Sequence, residues 1–181
     1  MPPPIRTVRE HIAWSYANLG RAHAAVQHQC EAYGAIHHII RSKLYGGLTT
    51  GKITMRSLYD DERVKMTAPR VCCYCGEASD HLAIDHLIPK IKGGEDEAGN
   101  LVLACRTCNG SKQGRDLLEW MTSKQRFPPL LVLRRYIKIV AGYCESHDLM
   151  ERELADVAKL DLPFDLALLP YQFPPLSELR L

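Results

Sequence analysis

Apolar positions in the first 45 residues recur at a helical spacing. Ile12, Tyr16, Leu19, His23, Val26, Cys30, Tyr33, His37, Ile40 and Leu44 step by four and three, the seam of a helix that packs on another helix. A single helix over this span would be a rod of about 50 Å, and Gly20 and Gly34 weaken that reading. The seam serves either as a scaffold against the protein's own core or as a homodimer or partner-protein surface. "YGGLTTGKITM" reads as a loop or hairpin and "SLYDDERVKM" as a short helix. Further on, "HLAIDHLI" alternates toward a strand and "KGGEDEAGN" is a Gly-rich polar loop. "NLVLA" is a second strand, and "NGSKQGRDLLEWM" opens a helix with Asn109 at its N-cap. After Pro128 and Pro129, Leu130, Leu133, Ile137 and Val140 share one helical face. Asp148 and Glu151 resemble a capping box for a helix through Lys159. Four prolines in the last twenty residues predict an extended tail, lying across the surface or on a partner.

The pattern divides into a helical N-terminal extension (1–67), a central module (68–124) and a helical C-terminal extension with a Pro-rich tail (125–181). The composition is that of a soluble globular protein, 46% hydrophobic and 24% charged. No apolar run approaches the ~18 residues of a membrane span. The "MPPPIRTVREH" start lacks a signal-peptide core, so no membrane association and a cytoplasmic location are expected. The net charge of +2 is unevenly spread. Val102 to Val140 holds eight basic and two acidic residues, whereas Ala141 to Leu181 holds three basic and eight acidic. That asymmetry fits either an anion-binding surface or two unlike solvated faces.

The seven cysteines change the picture more. Cys72 and Cys75 form one C-x-x-C, and Cys105 and Cys108 form another. Two such knuckles supply the four sulfurs of a tetrahedral structural zinc site. The 29 residues between them exceed the span of a simple ribbon, so a further element fills the gap. Cys30, Cys73 and Cys144 read as small buried apolar residues.

The "YCG" knuckle, "IDHLIPKIKGG", "GNLVLACRTCN" and the lysine of "SK" together resemble the HNH endonucleases, over about Val71 to Arg115. The resemblance implies an α+β fold: a ββα-metal module clasped by the four-cysteine zinc site, with helical extensions on both sides. It implies a metal-dependent nuclease acting on nucleic acid, with DNA expected. The small size and the helical flanks without a sequence-reading motif suggest in addition the nuclease subunit of a larger assembly, such as a bacterial or phage-defence system, silent until a partner protein activates it. Within the resemblance, His86 is the general base and Asn100 holds the His86 ring. Asp85 and Asn109, standing where the family often has His, present oxygens to a catalytic Mg²⁺ or Mn²⁺. Lys112 and Arg115 are placed for phosphate contact. In an ideal strand Asp85 and His86 point to opposite faces, so one shared site needs a local bend. Taken singly, His86 also reads as a structural histidine, Asn100 as a turn residue and Lys112 and Arg115 as helix-surface charges; His81 reads as a surface residue. The alternative function is a zinc-stabilised nucleic-acid-binding module that does not cut.

Overall fold

The structure is a computed structural model that describes residues 3–55 and 70–181. The apolar seam at the N-terminus folds into two helices, α1 (Val8–Gln27) and α2 (Ala35–Thr49), joined by a turn at 28–34. The single long rod is therefore corrected to a helical pair. The chain reverses where Gln29 adopts a positive φ of 53°, and Gly34 stands at the start of α2. Thr7 and Glu10 close a capping box at the start of α1. The helices meet through Trp14, whose ring lies edge-on to Tyr45 at 5.4 Å and under the Arg41 guanidinium at 4.9 Å. Gly20 is part of the fit, since a Cβ there would lie 2.4 Å from Leu44. Because α2 continues to Thr49, "YGGLT" is helical rather than loop. The "SLYDDERVKM" segment lies outside the described residues.

The central module is an antiparallel hairpin of β1 (Leu82–His86) and β2 (Leu101–Cys105), followed by α3 (Arg106–Lys112) and α4 (Leu117–Ser123). The predicted single helix is thus two, broken where Gln113 turns at φ 53°. Cys105, not Asn109, caps α3; Asn109 sits one turn inside it. Asp116 caps α4: Oδ1 accepts from Leu118 N at 2.8 Å.

The long C-terminal helix α5 (Leu130–Ser146) buries Leu130, Leu133, Ile137 and Val140, the face its spacing predicts. Asp148 is left-handed at φ 54° just beyond α5 and caps nothing; the next helix, α6 (Leu154–Val157), is a single turn entered from Glu153. The tail lies on the protein's own first helix: His11 Nε2 meets Leu166 O at 2.9 Å, and Trp14 Nε1 donates to Tyr171 O at 3.0 Å.

One apolar core collects residues from all three segments, including Val8 and Ile12, then Tyr74, Leu87 and Trp120, then Leu133, Tyr136 and Phe164. Burial moves these side chains out of water at roughly 25 cal/mol per Å². The central module thus rests on both extensions.

The buried carboxylate of Asp116 also accepts from Tyr136 Oη at 2.8 Å, which joins α5 to the start of α4. Substituting Asp116→Ala removes a cap and orphans a buried hydroxyl. We expect thermal or urea unfolding to read a loss of about 2–4 kcal/mol, against about 1 kcal/mol for Tyr136→Phe.

Candidate functional site

The two C-x-x-C knuckles converge. The sulfurs of Cys72, Cys75, Cys105 and Cys108 all lie within 4.8 Å of one another, and those of Cys75 and Cys105 are 3.9 Å apart. A zinc tetrahedron with bonds near 2.3 Å needs sulfurs about 3.8 Å apart. Local backbone builds each half. Gly76 turns the first knuckle at φ 80°, and its N–H returns to Cys72 O at 2.8 Å. Cys73 N donates to Leu103 O at 2.9 Å, which stitches that knuckle to β2. The second knuckle is the strand-to-helix junction, where Cys105 Sγ accepts from Cys108 N at 3.4 Å.

The electrostatics call for a cation. Burial alone would raise the Cys72 thiol, yet backbone N–H groups at Cys105, Cys75 and Tyr74 bring it down to about 7. Cys108 is pushed the other way, by burial and by the thiols crowding it. Four thiolates in so small a volume repel one another unless a metal neutralises them. The donor set therefore fits one zinc with every position filled by sulfur, a structural rather than a reactive site.

The hairpin positions the remaining residues. The β1–β2 ladder runs regularly from Leu82 opposite Cys105 to His86 opposite Leu101. The bend that would bring Asp85 and His86 to one side is absent from it, so the pleat sends their side chains to opposite faces. Asp85 faces the core at 7% exposure. Its Oδ2 accepts from Tyr74 Oη at 2.6 Å and lies 3.3 Å from Lys112 Nζ. His86, with 22% of its side chain exposed, hydrogen-bonds through Nε2 to Asp96 Oδ1 at 2.8 Å.

Lys112 is fully buried, so its assignment to phosphate contact is corrected. Its ammonium donates to His86 O and pairs with Asp85, tying α3 to the end of β1. Burial pulls its pKa below the usual lysine value, and Asp85 opposes that shift. Arg115 is spent similarly: its guanidinium donates to the Ser111 and Lys112 carbonyls at the end of α3 and to Ser123 Oγ at 3.0 Å. Arg135 and Lys138 are buried as well, so the basic surplus of 102–140 is partly interior and makes a smaller cationic surface than its count implies.

Asn100 is a loop staple rather than a clamp on the His86 ring. Its Oδ1 accepts from Ile88 N at 2.9 Å, and its Nδ2 donates to Ile88 O at 2.8 Å and Glu95 O at 2.9 Å. Its backbone carbonyl accepts from Leu87 N at 2.9 Å, directly after His86. Asn109 is half-buried on α3, and its carboxamide has no hydrogen-bond partner among the described residues.

Sequence reasoning missed Asp96. It bridges His86 and Lys90, whose Nζ is 2.9 Å from Oδ2. The bonds from Lys90 and His86 hold its carboxyl below the usual aspartate range. An acidic residue in a polar loop carries no spacing signal; the one clue was its place inside the gap between the knuckles.

Two outcomes follow from this geometry. Metal analysis of the full chain is expected to give one zinc, and chelation or Cys105→Ser should remove it, sharply lower the melting temperature and expose the remaining clustered thiols to a thiol reagent. Gly94→Ala should damage the loop, because the added Cβ would stand 1.9 Å from Ile88 O and 3.0 Å from Asn100 Nδ2. We expect about 1–3 kcal/mol of lost stability, with the Ile88 amide losing protection in hydrogen exchange.

No curated protein and no solved structure matches the chain. A family model described as HNH endonuclease matches residues 72–115, which begin at the first knuckle cysteine and end at the C-terminal brace of α3. The sulfur-clasped hairpin and helix thus coincide with the HNH endonuclease domain match, which spans roughly a quarter of the chain.

Proposed function

We propose that the chain is a metal-dependent endonuclease that hydrolyses phosphodiester bonds in DNA, with His86 as its general base. The observation that carries this reading is the match over 72–115, which falls on a hairpin whose first strand ends at His86, partly exposed and hydrogen-bonded to a carboxylate. A phosphodiester repels nucleophiles, so a nuclease must activate water, offset the phosphate's charge and stabilise the leaving alkoxide. A neutral imidazole is suited to the first task near pH 7. Exposed Arg106, directly after β2, replaces Lys112 as the cation offered to phosphate.

Among the described residues both partners of Asp85 sit on Oδ2, leaving Oδ1 as an oxygen donor. With the unpartnered carboxamide of Asn109, it offers the hard oxygen chemistry that suits Mg²⁺ or Mn²⁺. Such an ion, when bound, supplies Lewis acidity at the phosphate and the leaving O3′. Asn100 acts one step back, keeping the loop after His86 closed through Ile88 and Glu95.

A second reading, a zinc-stabilised nucleic-acid binder that does not cut, is favoured by one observation. The Asp85 carboxylate faces the core, away from the His86 side chain, and already has the Lys112 ammonium beside it. A supercoiled-plasmid assay with Mg²⁺ or Mn²⁺ separates the readings. Wild type is expected to nick, and His86→Ala to be slower by about a hundredfold or more with an unchanged melting temperature. If neither protein nicks while both retard the plasmid in a gel, the binder reading replaces the nuclease.

A further inference from the structure

The ring of His86 has a partner that the HNH signature residues do not provide. Asp96 sits in the loop between the two strands, and its carboxylate spans an imidazole and an ammonium: Oδ1 is 2.8 Å from His86 Nε2 and Oδ2 is 2.9 Å from Lys90 Nζ. Although Asp96 is exposed, the backbone that carries it is not free to wander. On one side, Glu95 O is held by Asn100 Nδ2, and Gly94 N donates to Pro89 O at 3.1 Å. On the other, the buried Arg135 of α5 donates to Ala98 O at 2.9 Å and Gly99 O at 2.6 Å. Asp96 is thus suspended between two fixed points, with Lys90 aiming its second oxygen.

The chemistry of the contact decides the ring's tautomer. An ionised carboxylate is an acceptor only, so the hydrogen of a 2.8 Å contact must belong to Nε2. A neutral imidazole has one N–H, so the bare lone pair is then on Nδ1. We propose that Asp96 is a positioning residue for His86, fixing the Nε2–H tautomer and leaving Nδ1 as the atom that takes the proton from water. This rests on the reading of His86 as general base. In the step concerned, the water oxygen forms a bond to phosphorus while its proton passes to Nδ1. The P–O3′ bond breaks, and O3′ departs with the bonding pair and takes a proton from solvent. The products are a 5′-phosphate and a 3′-hydroxyl, and His86 returns its proton to bulk water.

The test uses the full-length, zinc-loaded protein and two readouts. Long-range proton–nitrogen NMR of the His86 ring, recorded without substrate or divalent ion, should show the Nε2–H form in wild type. It should show a mixture of both tautomers in Asp96→Ala and a shift to the Nδ1–H form in Asp96→Asn, where Lys90 takes the amide oxygen and Nδ2 donates to Nε2. In plasmid nicking, Asp96→Ala should lower kcat by about ten- to a hundredfold at unchanged KM, and Asp96→Asn should lower it at least as far because it holds the ring in the wrong tautomer. An unaltered His86 spectrum in Asp96→Ala would overturn the proposal. So would an Asp96→Ala protein that cuts as fast as wild type or faster, because Asp96 would then be competing with phosphate for His86 and Lys90. A wild type that never cuts, yet whose tautomer is lost in Asp96→Ala, would sink the base assignment while leaving the orienting contact in place.

Discussion

Closure of four sulfurs around one point is the constraint on which the module depends. Cys72 and Cys75 lie before the hairpin, Cys105 ends it and Cys108 follows, and their convergence makes the intervening chain a loop with fixed ends. A two-stranded hairpin is marginal alone in water, and this one pairs over five residues. Metal ligation offsets part of the entropy of ordering it. The apolar core does the rest, since Tyr74 between the knuckle cysteines stacks edge-on against Trp120 at 4.9 Å.

Inside that clasp, polar groups normally kept at the surface have been drawn in and matched. Lys112 is the clearest case: a helix lysine with no exposed surface, satisfied by a carbonyl and a carboxylate. Burying an ion pair costs desolvation that its attraction only partly repays, so such a pair is better understood as a specifier of geometry than as a source of stability. Here it ties the end of β1, where His86 begins to project, to the last residue of α3. Tyr74 adds a third member by donating to the same carboxylate oxygen.

Legibility followed the kind of signal each residue carries. Cysteine spacing is a local, combinatorial mark, and the two knuckles were read from it correctly. The alternation of β2 and the apolar face of α5 were legible because burial repeats with the backbone period, whereas in β1 apolar Ile84 is exposed and Asp85 is buried. The N-terminal seam gave the right faces and the wrong connectivity: a 4-3-4-3 spacing survives a hairpin turn, and Gln29 in a left-handed conformation has no compositional marker. The helix after the second knuckle failed for the same reason at Gln113. Lys112 looked like a surface charge because a side chain's destination depends on what packs over it, and its partners Asp85 and His86 are remote in sequence; Arg115 turns back onto the end of its own helix. Asp96 was invisible on similar grounds, its partners being set by loop closure.

The grip of Arg135 on the carbonyls of Ala98 and Gly99 shows how far the working unit extends beyond its recognisable motif. That guanidinium comes from a helix outside the matched segment, and the core beneath the hairpin is lined from α1 as well. A transplant of 72–115 into a foreign scaffold would carry its sulfur clamp intact but arrive with two stranded acceptors and an uncovered apolar floor. What looks portable as a string of letters is, in space, a keystone cut for this particular arch.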